Sequence, residues 1–255
     1  MKQACKNYHG KTILITGSSR GIGFGLAKHF YELEANVVFN ARSEESFNQI
    51  KDEFDKNRAL FVASDVSTPK GAKNLVHETI NRFEKIDILI CNVGSGSSVK
   101  LGEESYEEWQ RVFAINFFST TNMIESAKEH LIHNKSSILC ISSICGINYI
   151  NNAPVTYSVA KSALNNYVKG IAKFYGPQGV RINALALGNI IFYGSVWDRK
   201  LKENSDDVYK VISRDVALQK LGEVEDVVKW AEWLTASDSS FATGSIFVVD
   251  GGQIV

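Results

Sequence analysis

The chain has 255 residues, 44% of them hydrophobic, with only three prolines, which is enough apolar material for one sizeable α/β domain or two small ones. Lys plus Arg and Asp plus Glu balance at 28 each, so no basic field draws the protein to nucleic acid or to an anionic membrane. The N-terminus has no apolar signal core, no run is long enough to span a bilayer, and Cys5, Cys91, Cys140 and Cys145 form neither a Cys-x-x-Cys pair nor a cluster with histidine; free thiols in a cytoplasmic protein without a metal site are the expectation.

Residues 12–16 read as a short apolar strand. Gly17, Gly21 and Gly23 follow, and then an apolar-periodic helix through Leu26, Ala27, Phe30 and Leu33. Strand, glycine-rich turn and helix in that order is the context a dinucleotide motif requires. Gly17 permits the sharp turn, and Gly21 and Gly23 let a diphosphate approach the helix N-terminus. A purely structural turn accounts for the same glycines. Asn36–Ala41 is a second strand ending at Arg42. An acid there would hold an adenosine ribose 2′-hydroxyl. The chain instead offers Arg42, with Arg20 in the glycine turn, and two guanidiniums suit a 2′-phosphate. This predicts NADP(H) over NAD(H); two solvated arginines is the plainer account. A third strand, residues 60–64, ends at Asp65 and Val66. Asp65 either faces the adenine or caps the next helix. A fourth strand, residues 86–91, leads to Asn92, Val93 and Gly94, small enough to let backbone pass close to a cofactor.

Residues 103–132 read as one long helix. Trp109, Val112 and Phe113 mark its inward face, and Asn116 falls on it. A buried amide must be satisfied, either by a structural hydrogen bond or as an active-site group holding a water near Lys161. An apolar strand at residues 138–141 delivers Ser142 and Ser143 at its C-terminal end. Pro154 suits the first turn of the following helix, on which Tyr157 and Lys161, four apart, share a face. The ammonium favours the phenolate and predicts a depressed Tyr157 pKa. Taken alone, Tyr-x-x-x-Lys describes many surface helices; its agreement with the N-terminal turn gives it weight. A sixth strand, residues 180–186, opens an aromatic segment, residues 187–197, where open α/β sheets bind ligands. The polar stretch 198–207 predicts a mobile helical flap within a substrate loop at about 188–215. A last helix (223–235) and strand (245–249) close the chain. Seven strands alternating with helices predict a single Rossmann-like, doubly wound parallel sheet over residues 1–255. Right-handed crossovers then bring Gly17, Asn92, Ser143 and Gly188 to one sheet edge.

Together these residues resemble the short-chain dehydrogenase/reductase family. Its Thr-Gly-x-x-x-Gly-x-Gly appears from Thr16 to Gly23, its Asn-Asn-Ala-Gly as Cys91, Asn92, Val93 and Gly94, and its catalytic tetrad as Asn116, Ser143, Tyr157 and Lys161. Gly146, three residues after Ser143, selects Ser143 over Ser142. The resemblance implies NADP(H) held by Gly17, Ser19, Arg20, Gly21, Ile22 and Gly23, by Arg42, Asp65 and Val66, by Asn92, Val93 and Gly94, and by Tyr157, Lys161, Gly188 and Ile190. It implies Tyr157 as general acid and base, Ser143 orienting a small-molecule carbonyl or alcohol, Lys161 lowering the Tyr157 pKa, and Asn116 anchoring a relay water. In pattern the chain is nearest the 3-oxoacyl-carrier-protein reductases, with departures. Leu187-Gly188 replaces Pro-Gly, a frequent threonine falls near Phe192, and the loops at 133–135 and 176–178 are poor in basic residues. A surface-sugar oxidoreductase and a non-catalytic cofactor-binding scaffold are the alternatives. The resemblance also implies a homodimer or homotetramer joined through the long helices starting near Glu103 and Pro154, with Trp109, Phe113, Phe117 and Phe118 in excess of what one sheet face needs.

Overall fold

The computed structural model describes residues 8–254; Cys5 and the segment read above for a leader lie outside them. Seven strands form one sheet: β1 (Thr12–Ile15), β2 (Asn36–Ala41), β3 (Ala59–Ala63), β4 (Ile88–Cys91), β5 (Ser137–Ser143), β6 (Arg181–Leu187) and, after a two-strand ribbon of β7 (Ile190–Ile191) and β8 (Gly222–Glu223), β9 (Ile246–Val249). Their order is β3-β2-β1-β4-β5-β6-β9, and every neighbouring pair is parallel. The predicted doubly wound sheet is therefore the observed one, with boundaries moved by one or two residues.

A parallel sheet is covered on both faces, which is why its strands read as unbroken apolar runs. Alternate side chains enter opposite cores. Ile13, Ile15, Ile88, Ile90, Leu139 and Ile141 pack with Leu26, Ala27 and Phe30 of α1 (Gly21–Glu32) and with Val227, Ala231 and Leu234 of a C-terminal helix, Val224–Thr235. Leu14, Leu89, Cys91, Ile138 and Cys140 face the other way. They meet Leu75 and Val76 of α2 (Pro69–Phe83) together with Met123, Ile124, Leu164 and Val168 from the helices of that layer. Each fully buried aliphatic side chain contributes about 1.5–3 kcal/mol relative to exposure, so the two cores hold the sheet edge in place.

The long helix predicted over residues 103–132 is divided. Ser105 caps α3 (Tyr106–Phe113) by accepting the Glu108 N–H at 3.2 Å. One π turn, Ala114–Phe118, then joins it to α4 (Ser119–Asn134). Asn116 is the reason visible in the side chains: it is buried within that turn, and its Nδ2 donates to the Val112 carbonyl at 3.0 Å. A side chain that takes a helix carbonyl competes with the backbone ladder. α5 (Val155–Tyr175) begins one residue later than expected. Pro154 is its cap, in extended backbone, and supplies no side-chain hydrogen bond. The predicted flap is two helices, α6 (Val196–Glu203) and α7 (Ser205–Asp215), which share a small core of Val208, Ile212 and Val216 with Trp197 and Leu201. The C-terminal helix Val224–Thr235 is α8.

Candidate active site

Between β1 and β4 the strand order reverses, and in open α/β sheets ligands bind at such a switch point. The two strands part there, so backbone groups lose their ladder partners and side chains replace them. Asn92 Nδ2 donates to the Thr16 and Gly17 carbonyls at 3.0 and 3.1 Å, and Thr16 Oγ1 accepts the Asn92 and Val93 N–H groups at 3.0 and 3.2 Å. Asn92 thus braces the glycine turn from the sheet side. Asn40, buried in β2, braces it from the other side. Its Oδ1 accepts the Gly17 N–H at 3.2 Å and its Nδ2 donates to the Val62 and Ser64 carbonyls. The sequence reading passed over Asn40; an amide directly following the apolar run Val37–Phe39 was the available signal.

Gly17 and Gly21 have φ of +63° and +58°, the left-handed region that glycine enters without penalty. A Cβ on Gly23 would lie 2.3 Å from the Gly17 carbonyl oxygen, so the first turn of α1 presses on the turn before it. The N-terminus of α1 is left open: Arg20 at the cap makes no side-chain bond, and the first turn carries no acid. Its free N–H groups and the helix dipole favour an anion. The Phe192 ring leans over Gly21, its carbons 2.6–2.9 Å from where a Cβ would sit, so a side chain there would have to displace the ring.

A cleft of about 1830 Å³ runs along the C-terminal edge of the strands, roomier than the 300–1000 Å³ usual for one small ligand. Of the residues the sequence assigned to a cofactor or to catalysis, Gly17, Ser19, Arg20, Ile22, Gly23 and Arg42 line one end. Asp65, Val66, Asn92, Val93 and Gly94 line the middle, and Ser143, Tyr157, Lys161, Gly188 and Ile190 the remainder. Gly21 and Asn116 are not on its wall. Asp65 does not cap α2; its Oδ1 accepts from the Ser67 N–H and hydroxyl at 3.0 and 2.7 Å, while Thr68 is the cap. Arg20 and Arg42 are exposed and form no ion pair among the described residues. Cys91 and Cys140 are buried free thiols and Cys145 is a half-buried one.

At the substrate end the elements are tied closely. Lys161 Nζ donates to the Ile141 carbonyl at 2.8 Å and lies 5.9 Å from the centre of the Tyr157 ring. Ser142 donates to Asn165 Oδ1 at 2.6 Å, and Asn165 Nδ2 donates to the Gly146 carbonyl at 3.1 Å. Ser142 is thereby committed to α5, whereas Ser143 accepts only the Cys145 N–H, at 3.2 Å. A Cβ on Gly146 would meet the Lys161 backbone at 2.5 Å, which is the physical need for glycine three residues after Ser143. Asn116 clamps the peptide of Ser95, accepting its N–H at 2.9 Å and donating to its carbonyl at 3.1 Å. Asn116 Oδ1 and Lys161 Nζ are each 3.1 Å from the point a Cβ on Gly94 would occupy, so the amide is both a structural clamp and a neighbour of the ammonium.

One expectation is reversed. The Tyr157 phenol is pushed up to about 12, not down, because burial penalises the phenolate; the neighbouring Ser143 hydroxyl pulls the other way and loses. The nearby Lys161 ammonium does not offset that burial, and its own burial brings it down to about 8. The sequence reading also missed a chain that holds the first turn of α5. Ser98 Oγ donates to Glu108 Oε1 at 2.6 Å. Its single proton is used there, so the 2.7 Å contact with Thr156 has Thr156 Oγ1 as donor. Arg111 grips Glu108 at 2.7 Å and holds its carboxyl down at about 2. Thr156 is fully buried directly before Tyr157, so this chain anchors a helix whose proline cap cannot.

Residues 17–253 match the family model described as Enoyl-(Acyl carrier protein) reductase. Glucose 1-dehydrogenase 2 of Bacillus subtilis is 32% identical over 254 residues, 97% of this chain and 96% of the relative. The 3-oxoacyl-[acyl-carrier-protein] reductase FabG of Chlamydia trachomatis is 30% identical over 247 residues, 95% and 97% of the two chains. The crystal structure of L-sorbose reductase from Gluconobacter frateurii with NADPH and L-sorbose superposes with a TM-score of 0.89 at 27% identity, covering 97% and 98%. The chain belongs to the short-chain dehydrogenase/reductase family of nicotinamide-dependent oxidoreductases acting on alcohol and carbonyl groups. No helix among the described residues is long and apolar enough to cross a membrane.

Burial of Lys161 has a measurable pH signature. Below about pH 8 the folded and unfolded chains both hold its proton, and folding carries the full cost of burying the charge. From there toward 10.5 the unfolded chain binds more protons, so stability rises with pH. The cofactor-free protein should gain about 2–3 kcal/mol from this lysine between pH 7.5 and 10. Lys161→Met should flatten that part of the profile in urea unfolding; an unchanged slope would contradict the assignment. Measurement stops at pH 10 because the raised Tyr157 pKa then reverses the trend.

Proposed function

We propose that the protein is an NADP(H)-dependent oxidoreductase that interconverts a carbonyl and a secondary alcohol on a small molecule, with Tyr157 as general acid and base. The observation that carries this reading is the arrangement of one cleft. An uncapped helix N-terminus and two unpaired arginines lie at one end, and a serine, a tyrosine and a buried lysine converge at the other. The residues fit a dinucleotide: the pinned glycine turn leaves room for a diphosphate, and Arg20 and Arg42 stand where an adenosine 2′-phosphate would be met by charge-assisted hydrogen bonds. When bound, the nicotinamide supplies the hydride chemistry. The chain's own task is to place the substrate and move its proton.

Ser143, whose hydroxyl neighbours the Tyr157 phenol while accepting the Cys145 N–H, would turn its proton to the substrate oxygen. Tyr157, raised to about 12, is protonated at working pH, the form that donates a proton to a carbonyl oxygen. Lys161 then lies next to the phenolate left behind and stabilises it. Asn116, holding Ser95 beside Lys161, would keep a relay water in reach of the ammonium. With these groups present, the scaffold reading has no support beyond the fold. The family-model description and the Chlamydia trachomatis relative favour an acyl-carrier substrate as a second reading; the glucose and sorbose enzymes among the similar proteins favour a free small molecule. We also read the chain as a homodimer or homotetramer through α3, α4 and α5, where Phe118, Val159 and Phe174 are 42–46% exposed. Light scattering at micromolar concentration should return twice or four times the 28.3 kDa chain mass, and a monomer mass would refute this.

Tyr157→Phe should lower turnover by about 10²–10⁴-fold while NADPH still binds in a fluorescence titration; undiminished activity would defeat the proposal. Arg42→Asp should weaken NADPH binding roughly ten- to a hundredfold, because the carboxylate repels the 2′-phosphate, and should leave NADH binding equal or tighter. Equal affinity of the wild type for both cofactors would overturn the NADP(H) preference.

A further inference from the structure

Two side-chain amides on the cleft wall lack partners. Asn189 follows β6 directly after Gly188, and Gln253 lies in the C-terminal segment. The segments touch: a Cβ on Gly188 would be 2.7 Å from the Asp250 Cα. The Asp250 carboxylate fixes the backbone around Gln253 by accepting the N–H groups of Gly252, Gln253 and Ile254 at 2.8, 3.1 and 2.9 Å. Asn189 Nδ2 and Gln253 Oε1 are nonetheless buried with no hydrogen-bond partner among the described residues, although both residues line the cleft. Buried polar groups are nearly always satisfied. A side-chain rotation that brings the orphaned end of each amide to the cleft would let a bound molecule satisfy it, the nitrogen donating and the oxygen accepting.

The chemistry of such a molecule is constrained. An acyl chain would cover both amides and satisfy neither, which a binding site resists strongly. An anionic group would need a free cation. Arg111 is bound to Glu108 and Arg214 to Asp215; the exposed Arg199 and Lys200, with no ion pair among the described residues, could meet an anion, but an anion only accepts and offers the Gln253 oxygen no donor. Several neutral hydroxyls, each able to donate and accept, match two amides, and the half-buried Trp197 offers a flat apolar face to C–H groups.

We propose that Asn189 and Gln253 are specificity-determining residues for a neutral polyhydroxylated substrate, a monosaccharide or polyol, gripping hydroxyls away from the reacting carbon. The inference rests on the oxidoreductase reading above and narrows its substrate class. Its test is steady-state kinetics on the purified protein. L-sorbose and D-fructose are offered with NADPH, and D-glucose and D-galactose with NADP⁺. Cyclohexanone and ethyl acetoacetate serve as carbonyl probes without hydroxyls. The wild type should favour at least one sugar over both simple carbonyls in kcat/KM. Asn189→Ala and Gln253→Ala should each reduce that preference tenfold or more, chiefly through KM. Gln253→Glu, equal in shape but without N–H donors, should move it the same way and guards against a folding defect in the alanine variants. A wild type that prefers the simple carbonyls, or variants that lower both classes alike, overturns the inference while leaving the oxidoreductase reading intact. Turnover of no probe in either direction instead counts against that reading.

Discussion

A single hydrogen bond, from the Lys161 ammonium to the Ile141 carbonyl, sets the geometry on which the candidate active site depends. It joins α5 to β5 at 2.8 Å. Tyr157 is one helical turn before Lys161, and Ser143 is two residues after Ile141, so fixing this bond fixes the phenol relative to the serine hydroxyl. The contact is costly in isolation, because it buries a charge. The lowered Lys161 pKa measures that cost. Gly146 makes the approach sterically possible, and the Ser142 to Asn165 to Gly146 bridge locks it.

The other end of the cleft rests on a different constraint, the parting of β1 and β4. Where parallel strands diverge, carbonyls and N–H groups need new partners. Thr16, Asn92 and Asn40 provide them, and in doing so they hold the glycine turn rigid. What remains unsatisfied is the N-terminus of α1. The open N-terminus of α1 is the basis of the proposed diphosphate site, and the unpartnered amides of Asn189 and Gln253 are the basis of the proposed substrate contacts.

Much of this was legible in the residues. Glycine spacing after an apolar strand, and tyrosine four residues before lysine, depend on local conformation, and local conformation is written locally. Three features were not legible. The Asn116 turn is a competition between a side chain and a helix ladder, and periodicity sees only the face. The Asp65 and Thr68 exchange of capping duty depends on which side chain the chain direction brings within reach. Thr156, Ser98 and Glu108 are far apart in sequence and meet only because α3 and α5 pack side by side.

The amino-acid sequence by itself determined the sheet, its parallel sense, the glycine turn and the family, because unbroken apolar runs and glycine positions constrain backbone paths. Tertiary structure alone decided the protonation of the site. The sequence places an ammonium near a phenol and argues for a lowered pKa; burial of both groups raises the phenol and lowers the amine instead. Desolvation depends on everything packed around a group, and no spacing of residues along the chain encodes it.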